Sequence, residues 1–102
     1  MLITTVYTAS VGIGSHILYR LPTSSYDGFW FEYTARSGSN ARAGQMMGIW
    51  SGSSVNYTET TTTDFGSTTA LQLMSTISSG NMIITGSTTT AGWTIKGIIR
   101  SI

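Results

Sequence analysis

Hydrophobic and polar residues alternate along short segments of this chain, and turn residues separate the segments at intervals of about 8 to 13 residues. The clearest alternation runs from Phe29 to Arg36. Its two faces are Phe29, Phe31, Tyr33 and Ala35 on one side and Trp30, Glu32, Thr34 and Arg36 on the other. No segment keeps apolar residues at helical spacing over three turns. The pattern therefore predicts β-strands and no helix.

The turn spacing predicts about eight strands in one domain covering residues 1–102. The predicted strands are Ile3–Val11, Ser15–Leu21, Phe29–Arg36, Ala43–Trp50, Val55–Thr63, Thr69–Ile77, Met82–Ser87 and Trp93–Ile102. Pro22 is expected to end the second strand because proline cannot donate to a β-ladder. Many short strands with regular turns are typical of an all-β, antiparallel β-sandwich, and we expect a jelly-roll-like arrangement.

The composition of individual strands predicts where each one lies. Ala43–Trp50 is apolar on both faces and is expected to lie centrally in a sheet. Val55–Thr63 is mostly hydroxyl-bearing and is expected at an edge or an interface. Trp93–Ile102 is rich in β-branched residues, so it is expected to be built into the sheet. Within Phe29–Arg36, we expect Phe31 in the core and Trp30 on the opposite face.

The chain has few charged residues, and this scarcity limits the kinds of partner that it is expected to bind. Charged residues make up 9% of the sequence and the formal net charge is +1, whereas Ser and Thr account for about a third of all residues. The five basic residues are scattered, so no patch could neutralise several phosphates, and nucleic acid is not an expected partner. No run approaches the roughly 20 apolar residues of a membrane span, so no membrane partner is expected.

Residues able to carry catalysis or bind a metal are few. His16 is the only histidine and there is no cysteine. The carboxylates are Asp27, Glu32, Glu59 and Asp64. Glu32 shares a predicted strand face with Arg36, so we expect a surface ion pair between these two side chains. We therefore expect no enzyme activity, no catalytic residues, no metal site and no cofactor.

The aromatic residues allow two interpretations. They include Trp30, Trp50 and Trp93 with Tyr26, Tyr33 and Tyr57. Their flat apolar rings could stack on sugars, but in so small a sandwich core or intersubunit contacts are favoured. As contacts to a ligand or another subunit, the sequence suggests Trp30, Glu32, Arg36, Arg42, Trp50 and Tyr57. Glu32, Arg36 and Arg42 are expected to form a polar rim around an aromatic contact.

Several runs of residues carry a resemblance to a known class of protein. They are Leu-Pro-Thr-Ser-Ser-Tyr-Asp-Gly-Phe-Trp-Phe-Glu-Tyr from Leu21, Arg-Ser-Gly-Ser-Asn-Ala-Arg-Ala-Gly-Gln-Met-Met-Gly-Ile-Trp from Arg36, Val-Asn-Tyr-Thr-Glu-Thr-Thr-Thr-Thr-Asp-Phe-Gly from Val55 and Trp-Thr-Ile-Lys-Gly-Ile-Ile-Arg-Ser-Ile from Trp93. As a set, they resemble the C-terminal module of tail-fibre-like virion structural proteins of environmental tailed bacteriophages. The sequence departs from this pattern at Phe29-Trp30-Phe31, where the family often has a smaller residue, and it lacks a fibre's long upstream repeats.

The resemblance implies a phage virion structural module, a fibre-tip or fibre-like domain that caps or decorates a larger assembly. It implies a homotrimer in contact with other virion proteins, located in the virion after synthesis in the host cytoplasm. It transfers no catalytic residue. A capsid decoration or cement protein is one alternative, and a carbohydrate-binding module that recognises host surface glycans is another.

Overall fold

The computed structural model describes residues 1–102 as eight strands in two antiparallel sheets. The strands are β1 (Leu2–Val11), β2 (Gly14–Pro22), β3 (Gly28–Ser37), β4 (Asn40–Ser51), β5 (Ser54–Thr61), β6 (Leu71–Ser78), β7 (Asn81–Thr88) and β8 (Trp93–Ser101). The large sheet has the order β1-β8-β3-β4-β5, and the small sheet has the order β2-β7-β6. The two sheets pack as a sandwich, which confirms the predicted fold class.

The connections between the sheets are jelly-roll-like on one side of the molecule. β1 pairs with β8 in the large sheet while β2 pairs with β7 in the small one, so successive strands at both chain ends alternate between sheets. β8 lies between β1 and β3, which confirms that the last strand is built into the sheet. On the other side, β3, β4 and β5 form a meander, and β6 pairs only with β7.

Most strand ends differ from the prediction by one to three residues, and three of these differences have a clear physical cause. β2 includes Pro22. An edge strand tolerates proline because one side of its backbone makes no hydrogen bonds to a neighbouring strand, so the missing N–H is not needed there. β4 begins at Asn40, because a two-residue loop joins it to β3 and pairs Ser37 with Asn40. β5 ends at Thr61, and beyond it Phe65 forms a separate bridge with Ala41.

The core is built around the inner face of β3. Phe29 and Phe31 are fully buried, and Tyr33 and Ala35 are almost so. The rings of Phe31 and Tyr33 stack with their centroids 5.4 Å apart. The alternation predicted for Phe29–Arg36 is therefore confirmed, with Phe31 in the core and Trp30 on the opposite face. The other buried apolar residues of this cluster are Val6, Val11, Leu18, Leu21, Met46, Leu71, Leu73, Met82, Ile84, Trp93, Ile95 and Ile99.

Glycines on the strands beside β3 make room for its three inward rings. Gly48 is paired with Phe29, and a Cβ at Gly48 would lie 2.5 Å from the Phe29 ring. Gly44 is paired with Tyr33, and a Cβ there would lie 2.5 Å from that ring. On the other side of β3, Gly97 gives space to the Phe31 ring. The rings of β3 occupy the space that side chains at these glycines would take, so this layer of the core is closely packed.

The prediction that the fourth strand lies centrally in a sheet is confirmed. β4 does lie inside a sheet, between β3 and β5, but only one of its faces is covered. Met46 is fully buried, whereas Met47 and Ile49 on the opposite face are 50% and 62% exposed. The small sheet covers only one side of the large one, so an apolar outer face of β4 remains open. β5 is an edge strand, as predicted.

Candidate functional site

The side of the large sheet that faces away from the small sheet is its outer face, and it holds the candidate site. Paired residues project to the same side of a sheet, so the strand registers define rows across this face. One row consists of Ile3, Arg100, Trp30, Met47 and Thr58, taken from β1 to β5. Apolar side chains dominate this end of the outer face.

An open groove of about 440 Å³ lies beside this row, and we call it the apolar groove. Trp30, Met47, Ile49 and Ile102 line it, together with Asn56 and Thr58 of β5, which are paired with Ile49 and Met47. Gly28 is paired with Ile49, and because it has no side chain nothing fills the groove at this position. Ile49 and Ile102 are 62% and 61% exposed, which is high for such side chains on a regular strand and at its end.

Three of the sequence-suggested contact residues lie on the outer face of β3, namely Trp30, Glu32 and Arg36. Trp30 is half-buried at the apolar groove. Glu32 forms its ion pair with Arg100 of β8, at 2.8 Å, and not with Arg36 as expected. The register explains the difference, because Arg100 stands opposite Trp30 and reaches diagonally to Glu32. Both partners are about half exposed, so the pair contributes at most about 1 kcal/mol to stability.

The other three suggested residues, Arg42, Trp50 and Tyr57, direct their side chains to the inner side of the large sheet. Arg42 is paired with the inward-facing Ala35. The Trp50 indole N–H donates to the carbonyls of Thr23 and Tyr26, at 3.1 and 2.9 Å, and fastens the loop before β3. Glu32, Arg36 and Arg42 therefore do not form one polar rim, because Arg42 lies on the opposite side of the sheet.

A hydrogen-bonded cluster on the inner side holds the corner where the chain passes from β5 to β6. Arg42 Nε donates to the Tyr33 hydroxyl at 3.0 Å, and that hydroxyl donates to Glu59. Arg42 Nη1 donates to the carbonyls of Thr68 and Leu71, at 3.0 and 2.9 Å. Since Arg42 lies on β4 of the large sheet and Leu71 begins β6 of the small one, Arg42 ties the two sheets together.

Asp64 extends this corner cluster. The backbone N–H of Thr68 donates to an Asp64 carboxylate oxygen at 3.0 Å. Hydrogen bonding from Thr68, helped by the nearby Arg42 charge, lowers the pKa of the Asp64 carboxyl below its ordinary value. The carboxylate form is thus the one that stabilises the loop between β5 and β6.

Raising the pH should destabilise the fold through Tyr33. Burial, and then the hydrogen bond to Glu59, raise the pKa of the Tyr33 hydroxyl well above its usual value of 10.0. A raised folded-state pKa contributes stability below the unfolded-state pKa and loses it as the pH rises toward the folded-state value. We expect the free energy of unfolding to fall above pH 10 in the native chain, and the fall to be shallower in Tyr33→Phe. Urea unfolding between pH 8 and pH 11.5 measures both slopes; equal slopes would contradict this role.

The remaining polar candidates do not converge on one site. His16 lies on β2, exposed, with Nε2 2.8 Å from the carbonyl oxygen of Gly12. Glu32 and Glu59 lie on opposite sides of the large sheet, because Glu59 is paired with the inward-facing Met46. No three His, Asp or Glu side chains come together as metal ligands would. The fold also contains no helix long and apolar enough to cross a membrane.

Sequence reasoning missed most of the groove residues, although one signal could have found them. The two-residue loop that pairs Ser37 with Asn40 also pairs Trp30 with Met47 and Gly28 with Ile49 when both strands are followed back. Arg100 and Ile102 carry no comparable local signal, because β8 reaches β3 from the far end of the chain.

The outer face has the features of a surface that binds another protein surface. It presents an apolar groove flanked by one exposed ion pair, and the hydrogen-bonded tyrosine and carboxylates lie on the other side of the sheet. A groove lined in this way can receive apolar side chains of another surface. In comparisons with known proteins, no family model matches this chain and no curated protein matches it either.

Proposed function

We propose that this chain is a structural module of a phage virion, a fibre-tip or fibre-like domain, that self-associates through the outer face of its large sheet. The observation that carries the proposal is the apolar groove between Trp30, Met47, Ile49 and Ile102. Monomeric proteins rarely leave a contiguous apolar surface open unless it meets a partner. The residues of the Leu21–Trp50 resemblance include the Trp30, Met47 and Ile49 walls of this groove.

Apolar burial, and not charge, drives association in this proposal. Burying a fully exposed Ile or Met side chain stabilises a complex by roughly 1.5–3 kcal/mol. Because Met47 and Ile49 are about half exposed, burying the rest of each side chain on association would contribute about half of that free energy. The Glu32–Arg100 pair at the groove's margin offers at most about 1 kcal/mol. In this proposal the Glu32–Arg100 ion pair orients the two copies relative to each other and adds little affinity.

Sheet edges support the same proposal. β1 and β5 bound the large sheet, and Glu59 is the only charged residue of β5. Such an edge has little protection against pairing with another chain. Closed cyclic symmetry buries the same surface on every copy and leaves no open end. The choice of three copies comes from the resemblance to trimeric tail fibres.

Placing a charge in the apolar groove should dissociate the assembly. We expect the native chain at micromolar concentration to scatter light as a species of about three times 10.9 kDa. Met47→Asp should give the monomer mass, because a carboxylate buried in an apolar contact without a partner is strongly unfavourable. The measurement is size-exclusion chromatography with multi-angle light scattering.

Met74→Asp is the matched control. Met74 is 42% exposed on the outer side of β6, so the substitution makes the same chemical change on the small sheet. We expect this variant to keep the native mass. A monomeric native chain would contradict self-association, and dissociation by Met74→Asp but not by Met47→Asp would move the contact to the small sheet.

Particle imaging separates the fibre-tip role from that of a capsid decoration protein. The same groove would serve either role, since both need an apolar contact between copies. We expect density for this chain at the tail; density on the capsid surface would favour decoration instead.

A further inference from the structure

The end of the outer face farthest from the apolar groove has a different chemistry. Tyr7 is paired with Lys96, and Lys96 is paired with Thr34. Two residues farther along, Arg36 is paired with Thr94 on one side and Ala41 on the other. We call this region the cationic row, and the bridge between Ala41 and Phe65 extends it past β4.

Two adjoining hollows run along the cationic row. One, of about 450 Å³, is lined by Tyr7, Thr34, Arg36, Gly38, Gly92, Thr94 and Lys96. The other, of about 260 Å³, lies toward Phe65, and the two hollows share Thr34 and Arg36. The cations therefore stand in the middle of a shallow trough, with an aromatic ring toward each end.

Neither cation of the row forms an ion pair within the chain, although Glu32 lines a neighbouring hollow together with Lys96. Glu32–Arg100 is the only ion pair, so Arg36 and Lys96 are both without a carboxylate partner. They are diagonal neighbours on adjacent strands, which places their Cβ atoms roughly 7–8 Å apart. Of the carboxylates, Glu59 and Asp64 are engaged in the corner cluster, and Asp27 borders the apolar groove at the other end. An external anion would complete this arrangement.

The rings beside the cations are unusually open. Tyr7 is 66% exposed and Phe65 is 75% exposed, and Lys96 Nζ lies 6.0 Å from the Tyr7 ring centroid. From β1 to the segment beside β4 the row crosses four strand spacings, or about 19 Å. That length accommodates a short oligomer lying across the strands.

We propose that the cationic row binds an acidic oligosaccharide, with Arg36 and Lys96 holding its anionic groups and Tyr7 and Phe65 stacking on its sugar rings. The guanidinium of Arg36 offers a planar fork that matches a carboxylate or a sulfate. Thr34 and Thr94 supply hydroxyls at the floor, where sugar hydroxyls need partners. This site lies apart from the apolar groove and does not rest on self-association.

Other anionic partners fit the row less well. Nucleic acid binding needs many phosphate contacts, and the row has two cations. A peptide is usually held by an apolar pocket or by main-chain pairing, and Tyr7 is the one hydrophobic residue lining the larger hollow. Exposed rings and hydroxyls beside the charges favour a sugar backbone over a peptide one.

Titration calorimetry with defined probes tests the site on the full chain. The probes are tetragalacturonate, which carries carboxylates, a sulfated dextran oligomer, neutral dextran oligomers and a short poly-glutamate peptide. We expect one or both acidic saccharides to bind and neutral dextran to bind at least tenfold more weakly. Whichever acidic probe binds identifies the anionic group. Arg36→Gln should raise its Kd at least tenfold, and Tyr7→Ala should raise it severalfold.

Arg20→Gln is the charge-matched control, because Arg20 is an exposed cation on β2 of the small sheet. It should leave the Kd within twofold of the native value. The proposal is overturned if neither acidic saccharide binds at millimolar concentration, or if Arg20→Gln weakens binding as much as Arg36→Gln does. Equal affinity for poly-glutamate would replace the sugar with an acidic peptide. Far-UV circular dichroism of each variant checks that the exposed substitutions leave the fold intact.

Discussion

Replacing Phe31 with alanine should cost the fold roughly 3–5 kcal/mol of its free energy of unfolding. Phe31 is fully buried at the centre of β3, where its ring stacks on Tyr33 and fills the space that Gly97 leaves. The substitution removes this apolar burial and leaves a cavity that the paired strands on both sides of β3 cannot close. Urea unfolding followed by tryptophan fluorescence measures the loss.

Trp30→Ala is the matched comparison, one residue along the same strand and of similar bulk. Trp30 is half-buried on the outer face, so its truncation should cost clearly less in the monomeric state. The measurement therefore belongs at concentrations where the chain is monomeric, because self-association would add the lost contact to the total. Similar losses at both positions would contradict the assignment of Phe31 to the core and Trp30 to an open face.

Local pattern was enough to predict the inner layer of the large sheet. Alternation in a strand depends only on neighbouring residues, and the Phe29–Arg36 pattern has large rings on one face and charges on the other. The pattern therefore indicates which face of β3 belongs to the core without knowledge of the strands that pair with it. The turn residues between the predicted strands likewise indicate strand boundaries, because their conformational preferences are local.

Position within the sandwich could not be predicted from pattern alone. An apolar strand face looks the same in sequence whether a second sheet or another subunit covers it. The apolar outer residues Met47 and Ile49 do not show by themselves that the small sheet, which consists of β2, β7 and β6, covers only the other side of β4. The open face of β4 is the kind of departure from local expectation that marks a contact surface.

Long-range pairing decided the polar contacts. Glu32 pairs with Arg100, which is 68 residues away in sequence, because β8 inserts between β1 and β3. Tyr7 and Lys96 also meet only through the pairing of the first and last strands. Each of these contacts follows from strand order, which residue alternation does not specify.

Adding a single methyl group at Gly97 should destabilise the protein by about 1–3 kcal/mol, as overpacking of a filled core typically does. A Cβ at this position would lie 2.6 Å from the backbone carbonyl oxygen of Glu32 and 2.6 Å from the Phe31 ring. The carbonyl cannot move aside without disturbing the β3–β8 ladder, in which Gly97 is paired with Tyr33. We therefore expect Gly97→Ala to lower the urea midpoint with little change in slope.

Gly12→Ala separates this packing effect from the general consequence of replacing a glycine. A Cβ at Gly12 would meet nothing within 4 Å, and its backbone lies outside the left-handed region. That substitution should be neutral or stabilise by about 0.4–1 kcal/mol, because alanine restricts the unfolded chain. Combining Gly97→Ala with Phe31→Leu relieves the ring contact but not the contact with the carbonyl oxygen. The double variant should therefore be clearly less stable than Phe31→Leu alone, whereas equal stability of these two variants would show that the ring, not the ladder, sets the requirement for glycine.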